Sequence, residues 1–189
     1  LERARAALKA VAATLARRRD DRPAEAVRAL RELPAAERCR AEATTDPVPP
    51  PPPHLAARIS ELSADATRAR FLAFGADPAA AELARRTVVA ADATGYPPLI
   101  ARAQLALGAG LEATLDNHTA ATYGTAADAA LAGGDDVTFV EAFARRLYAT
   151  ASLGGELAGV TAVLPVATTI AKRTGAAGAQ ARALLFNNA

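Results

Sequence analysis

The sequence predicts an all-α fold built as an α-solenoid, in which pairs of helices stack on their neighbours. Of the 189 residues, 54 are Ala, whereas only five are Phe, three are Tyr and none is Trp or Met. Small apolar side chains suit thin layers of closely packed helices better than a thick globular core. Apolar residues also recur at helical spacing between short breakers, and the breakers repeat at a period of about 40 residues, which is typical of helical repeats.

Two interleaved series of short helix-breaking segments separate the helical segments. The breakers of the first series begin at Gly75, Asp116 and Gly154. The breakers of the second series contain Gly95, Gly133 and Gly175. Their alternation predicts the order helix, turn, helix, loop. We predict helix pairs at 54–73 with 78–93, 97–115 with 118–132, and 137–152 with 156–173, followed by a further helix from about residue 176. Each pair buries its apolar face only by stacking on the next pair, so an exposed end invites self-association.

The chain before residue 54 forms two further units in this interpretation. Residues 1–46 are predicted to be a short N-terminal helical pair, and 47–53 a proline-rich linker before the repeats at 54–189. Each Pro fixes φ and removes a donor, so the linker is a semi-rigid spacer or, alternatively, a ligand for an aromatic groove, and the spacer is favoured. Residues 1–40 hold 11 basic and 6 acidic residues, whereas 41–189 hold 11 and 14. The two parts therefore face different surroundings.

Charge and composition narrow the class of function. With 22 Lys and Arg against 20 Asp and Glu, the chain lacks the excess of positive charge that a dedicated nucleic-acid or membrane-surface binder needs. One Cys and two His cannot supply four zinc ligands, and no apolar run is long enough to span a membrane. We expect a cytoplasmic protein without metal or cofactor. Because the chain contains no Met, we also expect it to be a piece of a longer protein.

Candidate catalytic groups have structural explanations. His118 follows Asp116 at a predicted turn, where Asp and Asn side chains bond their own backbone and cap the next helix. Cys39 is flanked by Arg38 and Arg40 in sequence, but a small buried residue is favoured over a reactive thiolate. No Gly-x-Ser-x-Gly nucleophile elbow occurs. The sequence therefore predicts no enzyme.

The segment 105–136 resembles a tetratricopeptide repeat. It contains Leu107 and Gly108, the small residues Ala127 and Ala130, and a closing Gly133-Gly134. By this resemblance Leu107 packs between the two helices of its pair and Gly108 lets them approach closely. Ala127 and Ala130 leave room for the next repeat. The array is then expected to be a right-handed superhelix of about three degenerate pairs.

The order of motifs resembles a wider family. Leu33-Pro34-Ala35-Ala36-Glu37-Arg38-Cys39, the proline segment 47–53, the stretch 91–99 and Leu184 to Ala189 are similar to the repeat region that follows the catalytic domain in bacterial serine/threonine protein kinases of the myxobacterial type. The resemblance implies a non-catalytic scaffold or regulatory region that binds a protein or peptide, such as the parent kinase domain or its substrates. The chain itself lacks the kinase motifs. The alternative is a structural module that oligomerises the parent protein.

The tetratricopeptide resemblance also implies a binding face. In such repeats the first helix of each pair lines the concave surface and contacts a peptide. Positions are counted from Leu107 and Gly108, taken as the seventh and eighth of the repeat, and are carried to the preceding pair by the breaker offset of 41 residues. They give six candidate peptide-binding residues: Glu61, Arg68, Phe71, Arg102, Leu105 and Glu112. Their Arg and Glu side chains would suit a peptide of mixed charge.

Overall fold

The computed structural model describes residues 48–189, together with Leu8, Lys9 and Ala12. This part of the chain is all-helical, with eight α-helices and no strand, as the composition predicts. The remainder of the predicted N-terminal helical pair, and with it Cys39, lies outside the described residues.

The helices follow one another through short connections. After a 3₁₀ turn at Pro53–Leu55 they are α1 (Ala56–Phe74), α2 (Ala79–Asp92), α3 (Pro97–Glu112), α4 (Thr119–Ala132), α5 (Asp136–Ser152), α6 (Ala158–Thr161), α7 (Leu164–Arg173) and α8 (Ala179–Asn188). These bounds agree with the predicted pairs to within a few residues, with one difference. The helix predicted at 156–173 is broken into α6 and α7. Pro165 lies in the first turn of α7, where its missing N–H costs no hydrogen bond but where it cannot continue a preceding helix.

The turns between the helices recur at a regular spacing and share one backbone conformation. Ala76, Leu115 and Gly154 each have a positive φ and are 39 residues apart in turn. The second series also has positive φ, at Gly95, Gly134 and Gly175. This left-handed conformation reverses the chain after a helix and favours Gly, which occupies four of the six positions. The breakers of the sequence therefore coincide with the turns that join consecutive helices from α1 to α6, and with the turn between α7 and α8.

The helices pack in an alternating order. α1 contacts both α2 and α3, α3 contacts α4 and α5, and α5 contacts α7 and α8. One of the buried clusters where α1, α2 and α3 meet contains only methyl groups, from each helix: Ala66, Ala69, Ala84 and Ala106. Such small residues let the helix axes approach closely at this level, whereas larger aliphatic side chains such as Ile59, Leu62 and Leu99 fill a neighbouring cluster.

The part of the core around α5 contains aromatic rings. Phe139 and Phe143 on α5 stack with ring centroids 6.0 Å apart, and both are fully buried. Tyr123 from α4 and Leu185 from α8 are buried in the same cluster. Three of the chain's eight Phe and Tyr residues therefore lie between α4, α5 and α8, where they fill space that Ala cannot.

The structure tests the roles that the repeat motif gave to four residues. Gly108 lies against the fully buried ring of Tyr123, and a Cβ built on it would be 2.4 Å from Cε1, so the close approach is confirmed. Ala127 and Ala130 are buried in the core that α5 completes, as expected. The role given to Leu107 is wrong, because its side chain packs on residues of α1 and α2 instead of between α3 and α4.

Candidate functional site

Two of the six candidate residues, Glu61 and Arg68, are exposed on α1. A carboxylate oxygen of Glu61 lies 3.2 Å from Nη1 of Arg58, and Nη1 of Arg68 lies 3.8 Å from Oδ1 of Asp65. Both ion pairs lie within one helix and are open to solvent, where such pairs contribute little to stability. Glu61 and Arg68 are seven residues apart and so share one face of the helix.

Phe71 and Leu105 are not on the surface. Their exposed fractions are 4% and 3%, so neither has a side chain available to a peptide in this structure. Phe71 packs edge-on against Phe74, with centroids 6.2 Å apart, and Leu105 lies in the core beside α4 and α5. The expectation that they line a concave surface is corrected: apolar residues at these positions serve helix packing.

Arg102 supports the start of α5. Its Nη2 donates to Oδ2 of Asp135 at 2.9 Å, and Oδ1 of Asp135 accepts from the backbone N–H of Thr138 at 3.0 Å. Asp135 is therefore the N-cap of α5, and Arg102 neutralises the charge of that buried cap. The sequence assigned Arg102 to a peptide, whereas the structure gives it a partner within the chain.

Glu112 belongs to a cluster that joins four helices. This central cluster consists of six residues: Arg70, Phe74, Glu112, Tyr123, Glu141 and Arg145. Arg70 of α1 donates through both terminal nitrogens to the carboxylate of Glu141 on α5. Glu141 also accepts from Nε of Arg145 at 3.2 Å. Arg145 lies 3.7 Å from Glu112 of α3, which accepts from the Tyr123 hydroxyl at 2.5 Å.

The aromatic ring of Phe74 completes the cluster. The guanidinium carbons of Arg70 and Arg145 lie 5.3 and 5.5 Å from its centroid, within the range of a cation–π interaction. The two arginines therefore share one ring and one carboxylate. With two cations and two carboxylates, the cluster carries no net charge.

The surroundings of the cluster shift two pKa values. Burial alone would raise the pKa of Glu141, but the guanidinium groups of Arg70 and Arg145 outweigh it and lower that pKa to about 2. Burial raises the pKa of Tyr123 well above its usual range. Glu141 is thus ionised and Tyr123 is a neutral donor at physiological pH. This arrangement holds the charges of the cluster in place.

The central cluster and the exposed residues Glu61 and Arg68 do not form one site. Arg68 and Arg70 are two residues apart, about 200° around the helix, and so point to opposite sides of α1. The structure brings only Glu112 of the six candidates into the cluster. The sequence contains a signal for four cluster residues that were not among the candidates. Arg70 with Phe74, and Glu141 with Arg145, have the i,i+4 spacing that places two side chains on one helix face.

Asp116 and His118 form a local turn, as predicted. Oδ1 of Asp116 accepts from the backbone N–H of His118 at 2.8 Å and lies 2.9 Å from its Nδ1. The bond from the backbone N–H is the main cause of a lowered pKa at Asp116. The His118 ring is exposed, and α4 begins at the next residue.

Residues 48–189 contain neither a grouped set of metal ligands nor a helix suited to span a membrane. In this range no three His, Cys, Asp or Glu side chains are grouped closely enough to bind a metal ion. No helix there combines the length and apolar character needed to cross a bilayer.

Comparison with known proteins adds no relative. No protein-family model, no curated protein and no solved structure matches the chain.

Proposed function

We propose that this chain is a non-catalytic protein- or peptide-binding region that serves as a scaffold or regulator of a bacterial serine/threonine protein kinase. The observation that carries the proposal is the recurrence of helix pairs with turns 39 residues apart. Stacked helix pairs present extended surfaces that bind partners. The link to a kinase rests on the resemblance of the leucine-proline motif and the proline segment.

The proposed partner surface combines two residues of the central cluster with one neighbour on the same face, on α1 and α5. It consists of Phe74, Arg145 and Tyr148. Tyr148 follows Glu141 by seven residues and therefore lies on the same face of α5, and half of its side chain is exposed. Tyr and Arg are enriched where proteins bind each other, because they combine apolar area with hydrogen bonding. The surface therefore suits a partner segment with an apolar side chain and an acceptor.

Tyr148→Ala is expected to abolish capture of the partner without changing thermal stability, because the exposed ring contributes little to the core. The whole chain is used as bait in a lysate of the organism that makes it, and retained proteins are identified by mass spectrometry. Three baits are compared with the natural chain. Tyr148→Ala alters the proposed surface, Arg68→Glu alters the opposite side of α1, and Val89→Ser is a control at a 72% exposed apolar residue of α2.

The outcomes separate the two sides of α1. A protein lost only with Tyr148→Ala supports the proposed surface. Loss of a protein only with Arg68→Glu would instead place the partner site on the face of α1 that carries Glu61 and Arg68. A bait that retains the same proteins in all forms would contradict both assignments.

The alternative function, self-assembly of the parent protein, is supported by exposed apolar side chains on α7 and α8. Val166 of α7 and Phe186 of α8 are 55% and 59% exposed. Exposed apolar side chains at the end of a repeat array promote association between copies. If this alternative holds, light scattering will give a mass that rises with protein concentration, and Phe186→Ser will suppress the rise while Val89→Ser will not. A constant monomer mass would contradict it.

A further inference from the structure

The proline segment is bonded to the helix pairs. The Tyr96 hydroxyl, in the connection between α2 and α3, donates to the carbonyl of Pro49 at 2.6 Å, across 47 residues of sequence. Pro51 and Pro52 are half-buried, whereas Pro49 and Pro50 are exposed. Pro52 has φ −53° and ψ 133°, close to the polyproline II conformation. Its carbonyl accepts from the backbone N–H of Leu55 at 2.9 Å, which joins the segment to the turn before α1.

Tyr96 is held in place on its own side of this contact. Its ring is half-buried and packs on the core residues shared by α1, α2 and α3. Its backbone N–H donates to Oγ1 of Thr94 at 3.2 Å, across the turn at Gly95. Tyr96 is also the N-cap residue of α3. The hydroxyl is therefore presented from a rigid position, so the bond to Pro49 loses little side-chain entropy when it forms.

The chemistry matches the recognition of polyproline II. In that conformation the backbone carbonyls have no internal partners and the conformation is largely preformed, so an aromatic side chain with a donor binds it at low entropic cost. We propose that Tyr96 makes this edge of the helix pairs a polyproline-binding site, occupied by the chain's own residues Pro49 to Pro52. Residues 49–52 are then an anchored strap and not a free spacer.

The test measures the position of the strap in the whole chain. Spin labels are attached at Val48→Cys and at Asp128→Cys, an exposed position on α4, with Cys39→Ser to remove the natural thiol. Double electron–electron resonance gives the distribution of distances between the labels. The proposal expects one narrow distribution. Tyr96→Phe, which keeps the ring and removes the donor, is expected to lower the ratio of bound to released strap about two- to tenfold and to broaden the distribution.

A matched control is available at Tyr148, a half-exposed tyrosine on α5. Tyr148→Phe is expected to leave the distribution narrow. Far-UV circular dichroism and thermal unfolding of both variants confirm that the fold is kept, because either change removes only one oxygen. A broad distribution in the natural chain, or an equally narrow one with Tyr96→Phe, would overturn the proposal.

Discussion

Glu141→Ala is expected to lower the free energy of unfolding by about 3 kcal/mol at neutral pH. The change leaves Arg70 and Arg145 close together without the carboxylate that neutralises them, and removing one partner from a largely buried ion pair has a cost of this size. Both guanidinium groups are less than a quarter exposed, so water replaces the carboxylate only in part. Unfolding by urea, followed by circular dichroism, measures the loss.

A control on α2 separates this effect from the removal of any carboxylate. Glu82 pairs with Arg86 at 3.1 Å, also with i,i+4 spacing, but both side chains are more than 60% exposed. Glu82→Ala is expected to change the free energy of unfolding by less than about 0.5 kcal/mol. Equal losses for Glu141→Ala and Glu82→Ala would contradict the stabilising role of the central cluster.

The same residue predicts how stability depends on pH. The pKa of Glu141 is about 2 in the folded chain and 4.5 in the unfolded chain, so the unfolded state binds the proton more tightly. Its contribution is complete above pH 4.5 and is lost as the pH falls towards 2. The difference in stability between the natural chain and Glu141→Gln is therefore expected to shrink between pH 4.5 and 2. A difference that stays constant across this range would contradict the assignment.

Gly108→Ala is expected to lower the free energy of unfolding by about 2 to 3 kcal/mol, because the added methyl group has no space. Its Cβ would lie 2.4 and 2.5 Å from Cε1 and Cδ1 of Tyr123. That ring is fully buried, and its hydroxyl bonds to Glu112, so it cannot move aside without breaking the bond. Thermal and urea unfolding report the loss.

Gly124 on α4 provides the matched control. A Cβ there would lie 3.4 Å from the guanidinium carbon of Arg146, an ordinary contact with a flexible side chain. Gly124→Ala is expected to be neutral or to stabilise by up to about 1 kcal/mol, since Ala favours a helix. Combining Gly108→Ala with Tyr123→Leu tests the contact directly. Because Leu is smaller than Tyr, Gly108→Ala should lower the free energy of unfolding less in the Tyr123→Leu variant than in the natural chain. Equal stability of the two Ala variants would contradict the packing argument.

Helix positions could be predicted from the sequence because local chemistry sets them. Gly95 and Gly175 take the left-handed conformation that ends a helix, and Pro97 starts α3 without losing a hydrogen bond. The break between α6 and α7 was missed because Pro165 was assigned to a helix interior. Fold class and most boundaries therefore follow from short-range effects.

The candidate site was less predictable because it depends on how the pairs stack. The repeat offset treats Phe71 and Glu112 as equivalent, yet Phe71 is buried and Glu112 lies in the central cluster. α3 packs on α1 much more extensively than on α5, so successive pairs are not related by one constant rotation. The ion pair of Arg70 with Glu141 spans 71 residues, and no local pattern specifies which distant partner each charge meets.

The bond between α1 and α5 affects how the chain unfolds. In a simple array each repeat contacts only its neighbours, and a terminal repeat can detach independently of the rest. Here the first pair is tied to the third by Arg70, so its detachment also leaves Glu141 with one cation fewer. Opening of the first pair is therefore coupled to the stability of the third. We therefore expect α1 to α5 to unfold together instead of pair by pair.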